Sequence, residues 1–166
     1  MEHALKERDS VRVYIGRGVA DKTGRRHVAA AYIHACYRIL EPARSEDFYV
    51  NKLGMKKLGE MDLGSATNHF FAMEENASSP MLELTHNHDR TEPYDKGDGY
   101  AHVAFTVDDL EGTVSSLKDQ GVKVTLEPKT LTADGHDYRI AFIEDPDGYK
   151  IELVQRETMK VGDIIQ

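Results

Sequence analysis

Hydrophobic and polar positions alternate along residues 32–39 and again along residues 102–107, a pattern typical of β-strands. Each of these stretches is followed by a segment with helical character. Pro42 stands where the first helix would start, and Gly54 and Gly121 stand where the two helices would end. The pattern therefore predicts a strand followed by a helix in each half of the chain.

The same order of features occurs twice, which indicates an internal repeat. In each half a later strand places a glutamate, Glu83 or Glu152, between aliphatic residues. His34 precedes Glu83 by 49 positions, and His102 precedes Glu152 by 50 positions. Because strand, helix, glycine and glutamate strand recur in one order, we predict an α+β fold with two β-α-β-β-β modules per chain.

The predicted modules occupy residues 31–95 and 96–160, and residues 1–30 form an N-terminal extension. The whole chain of 166 residues has 21 Lys and Arg against 29 Asp and Glu, a net charge of −8. Binding to nucleic acids or anionic membranes depends on Lys and Arg, so we expect neither partner. No run of about 18 apolar residues occurs, which excludes a membrane-spanning helix.

The chain has one cysteine, Cys36, and a charged N-terminus without a secretory signal, which together indicate a cytoplasmic protein. A single cysteine excludes an internal disulfide and a Cys-rich zinc site. Any bound metal would therefore be held by histidines and carboxylates. Cys36 itself is predicted to be a small packed side chain.

The repeat relates two histidines to two glutamates, and these four form the candidate metal site: His34, Glu83, His102 and Glu152. A glutamate inside an aliphatic strand is costly to bury unless another group binds it. Imidazole nitrogen and carboxylate oxygen together suit a divalent ion such as zinc, nickel or cobalt. A register shifted by one residue would replace Glu83 by the pair His86 and His88, an alternative that gives up the internal symmetry.

Strand alternation places further polar side chains beside the first histidine and glutamate. Cys36 and Arg38 share the face of His34, and Asn87 shares the face of Glu83. A guanidinium binds a carboxylate through two parallel hydrogen bonds, and an amide binds another amide or a carboxylate. These residues predict an anionic, peptide-like ligand, and a structural pair between Arg38 and an acid is the alternative.

Five segments carry a more specific pattern: HACYR at 34–38, DFY and LGM within 47–55, LELTHN at 82–87, GYAHVA at 99–104 and AFIEDPDGYKIEL at 141–153. Together they resemble, in order, the signatures of the glyoxalase I family, the lactoylglutathione lyases of the vicinal oxygen chelate superfamily. The resemblance covers residues 32 to about 156. DPDGY alone is a weak signal, whereas LELTHN with both histidines and both glutamates is much more specific.

The resemblance implies paired β-α-β-β-β modules whose sheets curl around one divalent ion, nickel, cobalt or zinc, in a homodimer. On that model the first histidine and glutamate of one subunit meet the second pair of the other. Arg38 and Asn87 then bind the glutathione part of the substrate. Residues 132–139 replace the loop that in relatives often contacts the glycyl carboxylate, and Arg139, the last of them, is a further candidate for substrate binding.

The implied activity is that of a carbon–sulfur lyase, which converts the hemithioacetal of methylglyoxal and glutathione into S-lactoylglutathione and so detoxifies methylglyoxal. Glu152 is the candidate base that moves a proton between neighbouring carbons, and Glu83 is a ligand that can share this task. The thiol is left open between glutathione and another low-molecular-weight thiol.

Three alternative functions use the same fold. An extradiol dioxygenase would hold Fe(II) with two histidines and one carboxylate, so Glu83 counts against it. A CoA-ester epimerase would more typically have glutamine at that position. A metal-free resistance protein that binds small molecules would lack the four ligand-type residues.

Overall fold

The computed structural model describes residues 32–75, 79–133 and 135–159. The extension predicted for residues 1–30 lies outside these ranges. The elements in chain order are β1 (His34–Ile39), α1 (Pro42–Glu46), a π-helical segment (Asp47–Lys52), β2 (Lys56–Asp62), β3 (Ala66–Ala72), β4 (Met81–Asn87), β5 (Val103–Val107), α2 (Leu110–Asp119), β6 (Val124–Ala133), β7 (His136–Glu144), β8 (Lys150–Gln155) and a 3-10 turn (Arg156–Thr158).

The strands form two four-stranded sheets with the same internal order, β1-β4-β3-β2 and β5-β8-β7-β6. Strand β1 lies parallel to β4, and β5 lies parallel to β8, whereas the other neighbouring strands in each sheet are antiparallel. The element order is therefore β-α-β-β-β in both halves. This confirms the predicted α+β fold, whereas the module boundary at residue 95 remains a prediction.

Both helical segments begin and end where the sequence predicts. Pro42 is the first residue of α1, at a position where a backbone N–H would have no partner within the helix. Asp109 caps α2, because its side chain accepts a hydrogen bond from a backbone N–H of the first turn. Gly54 and Gly121 both have φ of 76°, a left-handed conformation that favours glycine after a helix. No helix in the described ranges is both long enough and apolar enough to cross a membrane.

One apolar core is shared by both sheets and by the buried face of α2. It takes alternate residues from β1, β4 and β8. Because successive strand residues point to opposite faces, the polar residues between them lie on the other face of each sheet. The core side chains from these elements are Tyr37, Ile39, Leu82, Leu84, Leu110, Val114, Leu117, Ile151 and Leu153.

The turn between β7 and β8 contacts the first half of the chain. The buried Asp145 carboxylate accepts a hydrogen bond from the Tyr49 hydroxyl at 2.8 Å. Just after the turn, the ring of Tyr149 stacks on Tyr37 with the centroids 4.9 Å apart. These contacts tie the two sheets into one compact unit that begins at His34.

Candidate functional site

The first histidine–glutamate pair lies on the parallel strands β1 and β4. Cys36 is directly opposite Glu83, so His34, two residues earlier on the same face, stands beside the carboxylate. His34 Nε2 lies 3.4 Å from Glu83 Oε2. The histidine side chain is 32% exposed and the glutamate side chain only 12%. The imidazole therefore lies at the rim of the site, and the carboxylate lies mostly beneath it.

The second pair repeats this arrangement on β5 and β8. Ala104 is directly opposite Glu152, and His102 lies two residues earlier, immediately before β5. His102 Nε2 is 3.2 Å from Glu152 Oε2. The Phe142 ring and the imidazole pack in a T-shaped arrangement, with the ring centroids 5.3 Å apart. The two pairs thus occupy equivalent positions in the two sheets.

Both pairs have the spacing expected of two ligands that share one metal ion. Metal–ligand bonds of about 2.0–2.2 Å, meeting at octahedral or tetrahedral angles, separate the two donor atoms by roughly 2.8–3.6 Å. The measured separations of 3.4 Å and 3.2 Å fall within this range. Imidazole nitrogen and carboxylate oxygen are donors that divalent nickel, cobalt and zinc accept. The residues therefore fit a divalent ion.

The two pairs lie on separate sheets of the chain. Within the described residues, no three or more His, Cys, Asp or Glu side chains gather into a group that could hold a metal. Each sheet therefore supplies two of the four predicted ligands.

Asn68, on β3, contacts Glu83 and was not predicted from the sequence. Its Nδ2 donates a hydrogen bond to Glu83 Oε1 at 2.9 Å, and both residues are only 9% exposed. Thr85 Oγ1 donates to Asn68 Oδ1, also at 2.9 Å. The only available signal was an amide at an alternate position of a strand rich in apolar residues. Its partner became evident only through the pairing of β3 with β4.

Cys36 is exposed on the face of His34, so the prediction of a packed side chain is wrong. The reason is that β1 buries its opposite face, with Tyr37 and Ile39, in the core. The Cys36 Sγ lies 3.2 Å from Thr85 Oγ1 on the neighbouring strand. The thiol is therefore part of the polar surface beside the first pair.

Arg38 and Asn87 lie on the same sheet face as the first pair. Arg38 is exposed, and its carbonyl oxygen accepts a hydrogen bond from the Tyr149 hydroxyl at 3.0 Å, which fixes this end of β1. Asn87 Nδ2 donates to the Tyr94 hydroxyl at 2.9 Å. The Arg90 guanidinium covers the ring of Tyr94 at 4.8 Å from the centroid. A guanidinium and a tyrosine-held amide thus stand at one end of the site.

Arg139 lies on the opposite face of its sheet. On β7, Phe142 faces Glu152 across the ladder, and Arg139 is three residues away, so it points to the other side. There its guanidinium forms an ion pair with Glu111 of α2 and donates to Thr130 Oγ1 at 3.3 Å. The structure does not bring Arg139 to the face of the histidine–glutamate pairs, because its position on β7 directs it towards the helix.

The alternative register, with His86 in place of Glu83, is not formed. Glu83 pairs with Cys36 and His86 pairs with Ile39, whose side chain is buried in the core. His86 therefore lies on the core face of β4, and its ring centroid is 5.7 Å from that of His88. The unshifted register is what places Glu83 beside the first histidine.

The family model described as the Glyoxalase/Bleomycin resistance protein/Dioxygenase superfamily matches residues 31–153. The lactoylglutathione lyase of Neisseria meningitidis is 42% identical over 129 residues, which cover 76% of this chain and 91% of that protein. A probable lactoylglutathione lyase of Synechocystis is 38% identical over 131 residues, which cover 77% of this chain and 97% of that protein.

Two solved structures have similar folds. The trypanothione-dependent glyoxalase I of Leishmania major matches with a TM-score of 0.69 and 31% identity, covering 82% of this chain and 94% of that one. Glyoxalase I of Zea mays matches with a TM-score of 0.69 and 35% identity over 76% of this chain, which spans only 44% of the maize chain. The range matched by the family model includes both histidine–glutamate pairs, and the chain belongs to the Glyoxalase/Bleomycin resistance protein/Dioxygenase superfamily.

Proposed function

We propose that the chain catalyses the lactoylglutathione lyase reaction, the isomerisation of the hemithioacetal of methylglyoxal and a thiol to a lactoyl thioester. The observation that carries the proposal is the pair of equivalent His–Glu contacts, at 3.4 Å and 3.2 Å, which have the spacing of ligands that share one ion. The lactoylglutathione lyases of Neisseria meningitidis and Synechocystis, each matched over nearly its whole length, support the same activity.

The four ligand residues would hold one divalent ion, nickel, cobalt or zinc: His34, Glu83, His102 and Glu152. When bound, such an ion stabilises the negative charge that develops on the substrate oxygens as a proton leaves carbon. The donor set does not distinguish the three metals, because all of them accept imidazole and carboxylate ligands.

Glu152 is the proposed base. It takes the proton from the carbon that carries the sulfur and the hydroxyl, and it returns a proton to the neighbouring carbonyl carbon. The hydroxyl proton of the first carbon passes to the oxygen of the second. The first carbon becomes the thioester carbonyl and the second becomes the carbinol, so atoms and electrons balance without a redox cofactor. Among the described residues, the polar contact of the Glu152 side chain is with His102, at 3.2 Å. Glu83 acts mainly as a ligand.

Arg38 and Asn87 are the proposed contacts for the thiol part of the substrate. Glutathione carries carboxylates and peptide amides, which match an exposed guanidinium and a tyrosine-held amide on one sheet face. The relative from Leishmania major is trypanothione-dependent, so the identity of the thiol is part of the test. The proposed compartment is the cytoplasm, and the acidic chain is not proposed to bind nucleic acid.

A homodimer is the proposed assembly that completes the site. Each sheet offers one histidine and one glutamate, and no larger ligand group forms within the described part of the chain. Two copies related by a twofold axis would bring the first pair of each subunit to the second pair of the other. One dimer would then contain two identical four-ligand sites.

The function is tested by stripping the protein with a chelator, adding back Ni(II), Co(II) or Zn(II), and following thioester absorbance with methylglyoxal and glutathione or trypanothione. We expect activity to disappear on chelation and to return with at least one metal. Replacing Glu152 by Gln should lower kcat by about 10²–10⁴-fold, the usual contribution of general acid–base catalysis. Glu127→Gln is the matched control, since the exposed Glu127 of β6 pairs with Lys118.

Two results would overturn these assignments. Absence of thioester with all three metals and both thiols would remove the lyase activity. A Glu152→Gln variant that turns over as fast as the control would remove Glu152 as the base while leaving the lyase activity in place.

A further inference from the structure

We propose that Asn68 is a positioning residue that holds Glu83 as a stationary metal ligand, and that the absence of such a residue beside Glu152, among the residues that the structure describes, leaves that carboxylate free to move. This inference rests on the function proposed above. It concerns the roles of the two glutamates, which the repeat alone makes equivalent.

The hydrogen-bond chain around Glu83 has a fixed direction. A carboxylate only accepts hydrogen bonds, so the Asn68 atom at 2.9 Å from Glu83 Oε1 must be the amide nitrogen. The amide oxygen then faces Thr85, whose hydroxyl donates to it at 2.9 Å. Cys36 Sγ lies 3.2 Å from the same hydroxyl oxygen and 3.7 Å from the Tyr37 carbonyl oxygen, which can accept the thiol hydrogen. The chemistry of the carboxylate thus sets the orientation of the Asn68 amide and the Thr85 hydroxyl.

The two oxygens of Glu83 have different neighbours. Oε1 accepts from Asn68, with the Thr85 hydroxyl 3.5 Å away. Oε2 faces His34 Nε2 at 3.4 Å. Because Oε1 is held inside the sheet, Oε2 remains on the histidine side as the ligand atom. A carboxylate fixed in this way cannot turn towards a substrate without breaking a buried, charge-assisted hydrogen bond.

The second sheet has apolar residues at the equivalent positions. In the first sheet Phe70 is opposite Glu83, and Asn68 is opposite Thr85. In the second sheet Phe142 is opposite Glu152, and Ile140 is opposite Val154. The amide and hydroxyl of the first sheet are therefore replaced by two aliphatic side chains, which are 6% and 2% exposed. Neither can hold a carboxylate oxygen, so the two glutamates differ in freedom although their backbones are equivalent.

This difference assigns one role to each glutamate. Groups that hydrogen-bond a metal ligand orient it, and their loss commonly weakens metal binding. A base must leave its resting contact to reach the substrate proton, and the unclamped Glu152 can do so by side-chain rotation alone. Asn68 does not touch the reacting atoms, so its effect is exerted through Glu83.

Asn68→Leu and Asn68→Asp test the proposal. Leu removes both polar groups at similar size, and Asp keeps the shape while it replaces the donor by a second acceptor. We expect Co(II) or Ni(II) affinity, measured by chelator competition, to fall about 10- to 100-fold in Asn68→Leu and further in Asn68→Asp. With saturating metal, kcat should fall while KM for the hemithioacetal stays unchanged, and the visible spectrum of the Co(II) protein should change.

Thr67→Val is the matched control, because Thr67 is the preceding residue of β3 and faces the opposite side, where it contacts His88. It should leave metal affinity and kcat unchanged. Should the Asn68 variants fail to fold, Thr85→Val removes the hydroxyl with little change of shape and is expected to act in the same direction. Folded variants with the metal affinity and the Co(II) spectrum of wild type would overturn the inference. A wild-type protein that binds metal but forms no thioester would instead refute the proposed function.

Discussion

The two sheets share one topology but differ in the residues that surround their glutamates. Both have the same strand order, and in both the glutamate stands opposite the residue two positions after the histidine. In the first sheet an amide and a hydroxyl adjoin Glu83, whereas in the second sheet two aliphatic residues take those places beside Glu152. The repeated backbone therefore places the candidate ligands at equivalent positions, and the residues that differ between the two sheets give each glutamate different neighbours.

The largest expected effect comes from mixing two variants that each lack one half of the ligand set. The first carries His34→Ala and Glu83→Gln, and the second carries His102→Ala and Glu152→Gln. Each should be inactive alone. After co-expression with different tags, a mixed dimer regains one intact site of its two, so random assortment should restore about a quarter of the wild-type activity. The measurement is thioester formation by the purified mixture.

The same experiment separates a shared site from a site within one chain. If all four ligands came from one chain, no mixture of the two variants would contain a complete set, and activity would stay absent. Isolated heterodimers, purified through both tags, should have half the activity of the wild-type dimer. An inactive but fully heterodimeric preparation would therefore contradict the proposal that sheets from two subunits together supply one ligand set.

Much of this arrangement could be predicted from the sequence because it depends on local patterns. Alternation and glycine positions mark the strands and helix ends, and the nearly constant histidine–glutamate spacing marks the repeat. Asn68 could not be found this way, since it meets Glu83 only through strand pairing across 15 positions. Arg139 shows the same limit. Its face on β7 follows from the pairing of Phe142 with Glu152, and that pairing of β7 with β8 is known only from the folded structure.

Two arginines, one in each half of the chain, give the next comparison. Arg38 lies exposed on the face of the first pair, and Arg139 pairs with Glu111 behind the second sheet. Arg38→Ala should raise KM about 10- to 100-fold, the effect of losing a hydrogen-bonded charge against a substrate carboxylate, with little change in kcat. Arg139→Ala should leave both kinetic constants unchanged, because Arg139 lies on the other side of its sheet, against Glu111. The loss of this ion pair should lower the free energy of unfolding by at most about 1 kcal/mol.

Steady-state kinetics of the two variants, measured with saturating metal, check this contrast. Arg38→Lys is the informative control, since it keeps the charge but cannot form two parallel hydrogen bonds, and its KM should fall between those of wild type and Arg38→Ala. A large rise in KM for Arg139→Ala, with none for Arg38→Ala, would place the thiol on the helix side of the second sheet instead.

The turn through which the second sheet contacts the first half gives a comparison of stability rather than of activity. Asp145 accepts hydrogen bonds from the Tyr49 hydroxyl at 2.8 Å and from the backbone N–H groups of Asp147 and Tyr149 at 2.9 Å and 2.8 Å. Asp145→Ala leaves these donors unpaired and should reduce the free energy of unfolding by about 2–4 kcal/mol. Asp145→Asn keeps an acceptor for the N–H groups, so its loss should be smaller.

The pH dependence of that smaller loss sharpens the test. Burial raises the pKa of the Asp145 carboxyl above its usual range, although hydrogen bonds from the Tyr149 N–H and the Tyr49 hydroxyl oppose the shift. A carboxyl with a raised pKa in the folded state binds its proton more tightly there, so its ionisation destabilises the fold as pH rises through the unfolded and then the folded pKa.

Asparagine does not ionise, and the contributions of the other titratable groups cancel when the two proteins are compared. The stability deficit of Asp145→Asn, measured by urea unfolding of the metal-free proteins, should therefore be largest at acidic pH and shrink towards neutral pH. A stability deficit that grew with pH would mean that the ionised Asp145 carboxylate stabilises the fold more than its neutral form does.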